Sequence, residues 1–510
     1  MPAGTPVKAS HNGTVSFFEH QKILPESAIN TTPAANWVGG AELHFRITSS
    51  HSRWWAPNLS KLLVTMSVNK HGGGGAPPIS TRLVTCPVSQ LFSSVRCSIN
   101  GVSVESKASH YGLLSQFQTR TNVSKSAGKT AGSGGLLDFE DHMCPLDGTL
   151  QADFPAPAGN ATIDSVSQNR SRRNRKQDLL QIAAGGDFEI SEGINLDVLS
   201  SGMWCPGCQV DLYLLVNPKW QEDLLFSELV IPDVAVAITH TSGAVALETA
   251  AAKRTTGAIA VNDLASGTGA SKPVVHIKKV ELLALFASPI SGILRPPSNS
   301  LQSVYDSLSY QERKLTSSSF EEVIVIPPGV RAVCVWSRED IHSITFDNGR
   351  FGAAGGGNAA KGVSGVVAAL ANVTRADSTN HRGQQITSLQ CRIGGISAPT
   401  TMYSGLDFRG QKAQRVYDAA QSFLNNSLAT EASALDCTEF MRSPIFYLHT
   451  ILPPGVAATT LTVQGTLEGT PAAGSTQQLC VCTIHSRMLE MKWADAASEF
   501  PSTVTVQPIL

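Results

Sequence analysis

The sequence predicts an all-β protein, two tandem antiparallel sandwiches joined by short helices and long Gly-rich loops. Three observations carry this expectation. A short pattern occurs twice, many short runs alternate apolar with polar residues, and long stretches rich in Gly and Ser separate those runs. Ser94 to Ser103 reads S-V-R-C-S-I-N-G-V-S, and Ser388 to Ser397 reads S-L-Q-C-R-I-G-G-I-S, with Cys391 falling 294 residues after Cys97. Each copy alternates apolar residues (Val95, Cys97, Ile99; then Leu389, Cys391, Ile393) before two turn residues and a β-branched one. Asn100-Gly101 and Gly394-Gly395 can both supply the positive φ angles of a two-residue primed turn, so each copy predicts a tight hairpin. His110-Tyr111-Gly112-Leu113 answers Met402-Tyr403-Ser404-Gly405-Leu406, and a helix-like stretch follows in both places. A repeat this far apart implies two domains of one fold, because solenoid and propeller units run to roughly 20–50 residues.

In chain order, residues 1–36 lack sustained periodicity and predict an N-terminal arm. Leu43, Phe45 and Ile47 then alternate with Glu42, His44, Arg46 and Thr48, the pattern of a half-buried strand. Leu62, Val64, Met66 and Val68 repeat it, and His71 to Pro78 breaks the chain into a loop. After the first hairpin come a helix near Ser109 to Thr121 and a long polar excursion to about Lys176, too long for a plain connection and read as an external loop. Strands are expected at Asp187 to Val198 and Val210 to Val216. In Pro273 to Ala287 the apolar phase switches near Lys278-Lys279, which predicts a bulge. Ala235 to Ser271 reads as a further loop. The first sandwich is thus expected over 37–300, a linker over 301–319, and the second sandwich over 320–510.

The second half opens with Phe320 to Ile326, a turn at Pro327-Pro328-Gly329, and Val330 to Trp336. Gly349 to Gly365 takes the place of the first half's Gly-rich loop. Ala413, Val416, Tyr417, Ala420, Phe423 and Leu424 recur at helical spacing between Lys412 and Asn425. Strands return at Ile445 to Ile451, Thr460 to Leu467 and Leu479 to Ile484. Each half therefore reads as strands, hairpin, short helix and more strands.

Composition narrows the function. The chain has 510 residues, a formal net charge of -1 and 15% charged residues, so it lacks the Lys/Arg excess of a nucleic-acid-coating protein. No stretch approaches the roughly 20 apolar residues of a membrane helix, and the start carries no apolar signal region. A soluble, unsecreted chain in a reducing compartment is the expectation, with cysteines such as Cys97, Cys334, Cys391, Cys480 and Cys482 acting as small apolar residues inside strands.

Motifs that suggest chemistry are weak. Trp204-Cys205-Pro206-Gly207-Cys208 resembles a dithiol redox motif, but that chemistry needs the first Cys at a helix N-terminus, and Gln209 to Val216 alternates as a strand. It reads as a turn carrying two incidental or zinc-capable thiols. Zinc would need two further ligands, and Cys480-Val481-Cys482 is a poor chelate. Ala127-Gly128-Lys129-Thr130 imitates the end of a phosphate-binding loop, yet the Gly required five residues before Gly128 is Val123. Arg170, Arg172, Arg173, Arg175 and Lys176 form a basic run that could meet nucleic acid, an acidic partner or another subunit, or simply be solvated. The histidines have no metal spacing, and no G-x-S-x-G elbow joins a strand to a helix. Catalytic, cofactor and metal residues are therefore expected to be none.

Three stretches resemble a known family. Cys86-Pro87-Val88-Ser89-Gln90-Leu91-Phe92-Ser93-Ser94-Val95 leading into Ser98-Ile99-Asn100-Gly101-Val102-Ser103-Val104, the strand pair within Lys176 to Val216, and Val274 to Ser288 are similar to segments of the double jelly-roll major capsid proteins of eukaryotic DNA viruses, of the Polinton-like virus, adintovirus and virophage type. Ser388 to Ser397 and the helix from Lys412 match more loosely, while the Gly-rich loops and the W-C-P-G-C turn depart from the pattern. The resemblance implies two tandem eight-stranded antiparallel jelly rolls. It further implies a hexon-like homotrimer whose six rolls form a pseudo-hexagonal capsomer of an icosahedral shell. Such a shell encloses double-stranded DNA without sequence-specific binding and sits in the virion capsid, assembled in the host cytoplasm or nucleus. The partners implied are the chain itself, through trimer and lateral capsomer contacts, and penton and minor capsid proteins; a scaffold or internal membrane is left open. A carbohydrate-binding or hydrolytic β-sandwich is the alternative, and one elaborated jelly roll, without an internal repeat, is a third.

Overall fold

The computed structural model describes residues 15–26, 40–70, 81–83, 86–107, 109–122, 187–202, 205–218, 220, 225–227, 273–289, 300–339, 385–408, 412–427, 440, 444–449, 460–471, 477–494, 498 and 500–509. The first half carries β1 (Val15–Ile23), β2 (Glu42–Thr48), β3 (Trp54–Trp55), β4 (Lys61–Lys70), β5 (Thr81–Leu83), β6 (Phe92–Ile99), β7 (Val102–Lys107), β8 (Phe188–Gly193), β9 (Gln209–Val216), β10 (Leu225–Ser227) and β11 (Pro273–Pro289). Its helices are α1 (Pro87–Gln90), α2 (Tyr111–Asn122) and α3 (Asp197–Ser200). The second half carries β12 (Ser300–Lys314), β13 (Ser319–Val325), β14 (Val330–Glu339), β15 (Ile386–Ile393), β16 (Ile396–Tyr403), β17 (Phe446–His449), β18 (Thr460–Leu467), β19 (Gln477–Lys492) and β20 (Thr503–Pro508), with α4 (Gln414–Ser427) between β16 and β17.

The sheet order identifies the fold. In the first half β1-β11-β4-β8 form one sheet and β2-β9-β6-β7 the other; in the second half the sheets are β12-β19-β14-β17 and β13-β18-β15-β16. Leaving aside the short β3, β5 and β10 and the terminal β20, both halves obey one rule. The first, eighth, third and sixth strands make one sheet, and the second, seventh, fourth and fifth make its partner. That winding of eight antiparallel strands is a jelly roll, and it occurs twice. A single elaborated roll is excluded.

The duplicated pattern occupies the same place in each roll. Asn100 and Gly101 have φ of 49° and 80°, and Gly394 and Gly395 have 56° and 81°. These are the left-handed angles that the two-residue turns demand. Cys97 pairs across β9 with Leu212, and Cys391 pairs across β18 with Val463, so the two cysteines sit at matching points of matching sheets. The phase switch in β11 is also present, as a register shift between Ile277 and Lys279. Apolar alternation fills each interior. Leu43, Phe45, Ile47, Leu212, Leu214, Val280 and Leu282 are buried in the first roll; Ile324, Val333, Leu389, Leu461 and Val463 are buried in the second.

Two segments expected to lie outside the sandwiches carry strands. Within 1–36, Val15–Ile23 pairs along β11; within 301–319, Ser300–Lys314 pairs with β19 over its whole length. Both are outer strands with much exposed surface, so neither shows the apolar stripe that a half-buried strand would. Residues 18 to 22 are exposed on both sides of β1. Two smaller differences concern local ends. The strand expected to reach Val198 stops at Gly193, and α3 begins at Asp197 because the Glu105 carboxylate accepts hydrogen bonds from the backbone amides of Asp197 (3.0 Å) and Val198 (2.8 Å). The β20 strand had no counterpart in the sequence reading. Ala127 to Thr130, the basic run from Arg170 to Lys176, and most of the Gly-rich loops lie outside the described residues.

Candidate functional site: the seam between the rolls

The two rolls share side chains across their boundary. Leu113, Leu114 and Phe117 of α2, from the first roll, pack in the second roll's core. Tyr305 of β12, Leu489 and Met491 of β19, Trp493, and Val504 of β20 pack in the first roll's core. Phe117 stacks on Trp336 with ring centroids 5.4 Å apart, and Tyr310 stacks on the same indole at 5.7 Å. Such pairs contribute about 0.5–1.5 kcal/mol beyond the area they bury. The Cys208 thiol lies 3.7 Å from the Met491 sulfur, another contact from one roll to the other.

At the centre of the seam is a buried charged cluster. Lys107 ends β7 and pairs with Asp197 at the start of α3 and, at 3.5 Å, with Glu105. Asp197 also accepts hydrogen bonds from the Gln118 side chain and, at 2.8 Å, from the backbone amide of Leu308 in β12. One carboxylate thus ties a strand, two helices and the opposite roll. Glu105, Lys107 and Asp197 are each at most 5% exposed. Burial, reinforced by the Asp197 charge, pushes the Glu105 carboxyl up to about 8. Burial works against the Lys107 ammonium, but the two carboxylates outweigh it and raise its pKa. His485 of β19 is 2% exposed, and burial, with Arg487 and Lys107 adding repulsion, holds it down at about 4.

A second polar pin orients the hairpin region. Glu192 of β8 accepts hydrogen bonds from the amides of Val88 (2.8 Å) and Ser89 (3.3 Å) and from the Ser89 hydroxyl, fixing α1 against the sheet. Burial raises its carboxyl to about 7. These contacts fix shape; none presents a nucleophile to solvent.

The suspected redox and metal residues behave as core. Cys205 and Cys208 are free thiols, both buried, and burial pushes the Cys205 thiol up to about 12, far from the reactive thiolate that dithiol chemistry requires. The chain after them is strand β9, as their setting suggested. Cys480 and Cys482 are buried free thiols in β19, and Cys482 lies opposite Cys334 of β14. Among the described residues no group of three or more His, Cys, Asp or Glu could hold a metal ion, and no helix is long and apolar enough to cross a membrane.

Outward faces of the two rolls have diverged. On the first, His44 bonds to Asp211 (2.8 Å) and Glu26 (3.1 Å), stacks on Tyr213 at 4.5 Å, and has Arg46 and Arg96 beside it. Hydrogen bonds from His44 and Arg46 hold the Asp211 carboxyl below its usual range against the opposing effect of its burial. On the second, Val323, at the place of Arg46, is 60% exposed, and Val325, at the place of Thr48, is 68% exposed.

The fold is similar to that of chains of known structure from virus particles. A chain of the Sputnik virophage solved by cryo-electron microscopy aligns with a TM-score of 0.52 at 11% identity, covering 97% of this chain and 89% of that one. The crystal structure of the mavirus major capsid protein aligns with a TM-score of 0.45 at 10% identity over 100% of this chain and 95% of that one. The Faustovirus major capsid protein gives 0.44 at 8% identity over 96% and 92%. No protein-family model and no curated protein matches the chain.

Proposed function

We propose that this chain is the major capsid protein of an icosahedral double-stranded DNA virus, a non-enzymatic shell subunit that assembles as homotrimeric, pseudo-hexagonal capsomers. The observation that carries this reading is the identical winding of two rolls in one chain, locked by a shared core and a buried ion cluster. A shell block needs rigidity between its modules more than it needs a cleft. Two fused rolls per chain make six per trimer, which fits a six-cornered tile. A formal net charge of -1 avoids strong repulsion among many packed copies.

On this reading the rolls span about 15–289 and 300–508, following the strands, and the partners are further copies of the chain, then penton and minor capsid proteins. DNA is enclosed without being read, and the protein resides in the virion capsid after assembly in the host cytoplasm or nucleus. The basic run from Arg170 to Lys176 remains a proposed contact to nucleic acid or a neighbouring subunit. Expression of the full chain followed by sedimentation and electron microscopy tests the function. Trimeric blocks that tile into sheets or shells support it, whereas a monomer that binds glycans would replace it with the sandwich-lectin reading.

A further inference from the structure

Strands β12 and β19 pass from one core into the other. Side chains alternate along a strand, so Leu479, Val481, Thr483, His485, Arg487, Leu489 and Met491 of β19 share one face. Leu479 and Val481 pack in the second roll's core, and Leu489 and Met491 pack in the first roll's. The two basic residues of this face, His485 and Arg487, fall where one core gives way to the other. They mark a joint.

His485 is 2% exposed there. It lies opposite Ser307 of β12 and Val330 of β14, and the buried Tyr305 lies opposite Arg487. Among the described residues no side chain hydrogen-bonds to either ring nitrogen. The ionisable groups around the ring come from every neighbouring element: Arg487 on its own strand, Tyr305 on β12, Arg331 beside Val330 on β14 and engaged with Asp306, and from the first roll Lys107 and Glu105 of β7 and Asp197 of α3. Arg487 and Lys107 oppose a positive imidazole, Asp197 favours one, and burial decides the balance against it. A neutral ring therefore sits where the rolls meet. A proton on it is tolerated only when water reaches the joint, so an opened arrangement binds that proton more tightly than the closed one.

We propose that His485 makes the joint between the rolls a proton-sensitive hinge: a proton on its ring favours an arrangement in which the Lys107–Asp197 flank of the first roll parts from the β12–β19 pair of the second, while each sandwich keeps its own core. The hinge lies within one chain and does not rest on the shell-subunit reading. Its sign follows from linkage. The ring is held at about 4 in the closed joint and returns to its ordinary 6.5 in water, so closure has its full advantage above 6.5. That advantage falls about tenfold for each pH unit down to 4, roughly 300-fold in all.

Amide hydrogen exchange on the full chain, corrected for its intrinsic pH dependence, measures the opening between about pH 7 and pH 4.5. The reporters at the joint are the Leu308 amide, bonded to Asp197, and the Val198 amide, bonded to Glu105; amides of β6 and β15 report on the two sandwiches. The expected result is opening at the joint that rises about tenfold per pH unit, continued protection of β6 and β15, and loss of the pH slope in His485→Gln. A slope that survives in His485→Gln assigns the opening to the carboxylates and overturns the inference. Joint and sandwich amides that exchange together overturn it as well, because the whole chain is then unfolding. Arg487→Gln gives a second readout if His485→Gln does not fold. Removing that cation should reduce the acid-induced opening several-fold, and an unchanged profile overturns the inference. Trimer formation is measured separately by sedimentation, so these outcomes leave the shell reading untouched.

Discussion

Lys107→Met removes the ammonium from the seam while keeping most of the stem that packs there. Glu105 and Asp197 then remain buried, at most 5% exposed, without the cation that lies against both. Removing one partner of a buried pair costs about 3–5 kcal/mol, because the other charge stays behind. The hydrogen bonds to Asp197 from Leu308 and Gln118 persist, and Glu105, already near 8, can take up a proton, so the lower end of that range is expected. The assay is equilibrium urea unfolding. At an m-value near 3 kcal/mol/M the midpoint should fall by about 1 M, and the rolls, having lost the Lys107 link to the Leu308 carbonyl (3.5 Å), should be less strongly coupled on unfolding. Lys278→Met is the control, since Lys278 and Asp187 pair at 3.8 Å with both side chains about half exposed, and such pairs contribute about 0–1 kcal/mol. A Lys107→Met midpoint indistinguishable from that of Lys278→Met would refute the claim that the cluster holds the rolls together.

Further outcomes follow from the same geometry. Phe117→Ala should cost about 3–5 kcal/mol, and a double-mutant cycle with Trp336→Ala should give a coupling of about 0.5–1.5 kcal/mol; additivity would mean that the stack contributes nothing across the seam. His485, held near 4 against an ordinary 6.5, contributes stability that is complete above 6.5 and lost as pH falls through 4. At 1.36 kcal/mol per unit that is about 3 kcal/mol, so His485→Leu should flatten the acid limb of a melting-temperature profile. Glu192, raised to about 7, acts in the opposite direction: its contribution is present below 4.5 and lost as pH rises through 7, and Glu192→Gln should remove that alkaline loss. Cys205 and Cys208 should resist a thiol reagent until the protein unfolds, and rapid labelling of either in the native state would contradict their burial.

The parts of the fold legible in the sequence are those governed by local chemistry. Asn100-Gly101 and Gly394-Gly395 announce their hairpins because few residues tolerate those φ angles, and α4 is readable because Val416, Ala420, Phe423 and Leu424 make one apolar stripe. Strands β1 and β12 escape detection for the complementary reason. They lie at sheet edges, and Phe18 to Lys22 of β1 are all exposed, so that stretch carries no inward alternation to find. The seam is harder still, since Lys107 meets Asp197 across 90 residues and Leu308 across 201. One signal was available: Glu105 and Lys107 are two apart in β7, on the face that also pairs opposite Cys97 and Val95. Charged residues on the apolar side of a strand imply a buried partner, but not which one.

The central claim, two rolls fused into one rigid block of which three make a six-cornered tile, is tested most directly by electron microscopy of the purified full-length protein. The proposed function predicts averaged images with three-fold symmetry and six similar lobes, two from each chain. Single two-lobed particles at every concentration, or lobes whose separation varies from particle to particle, would contradict it.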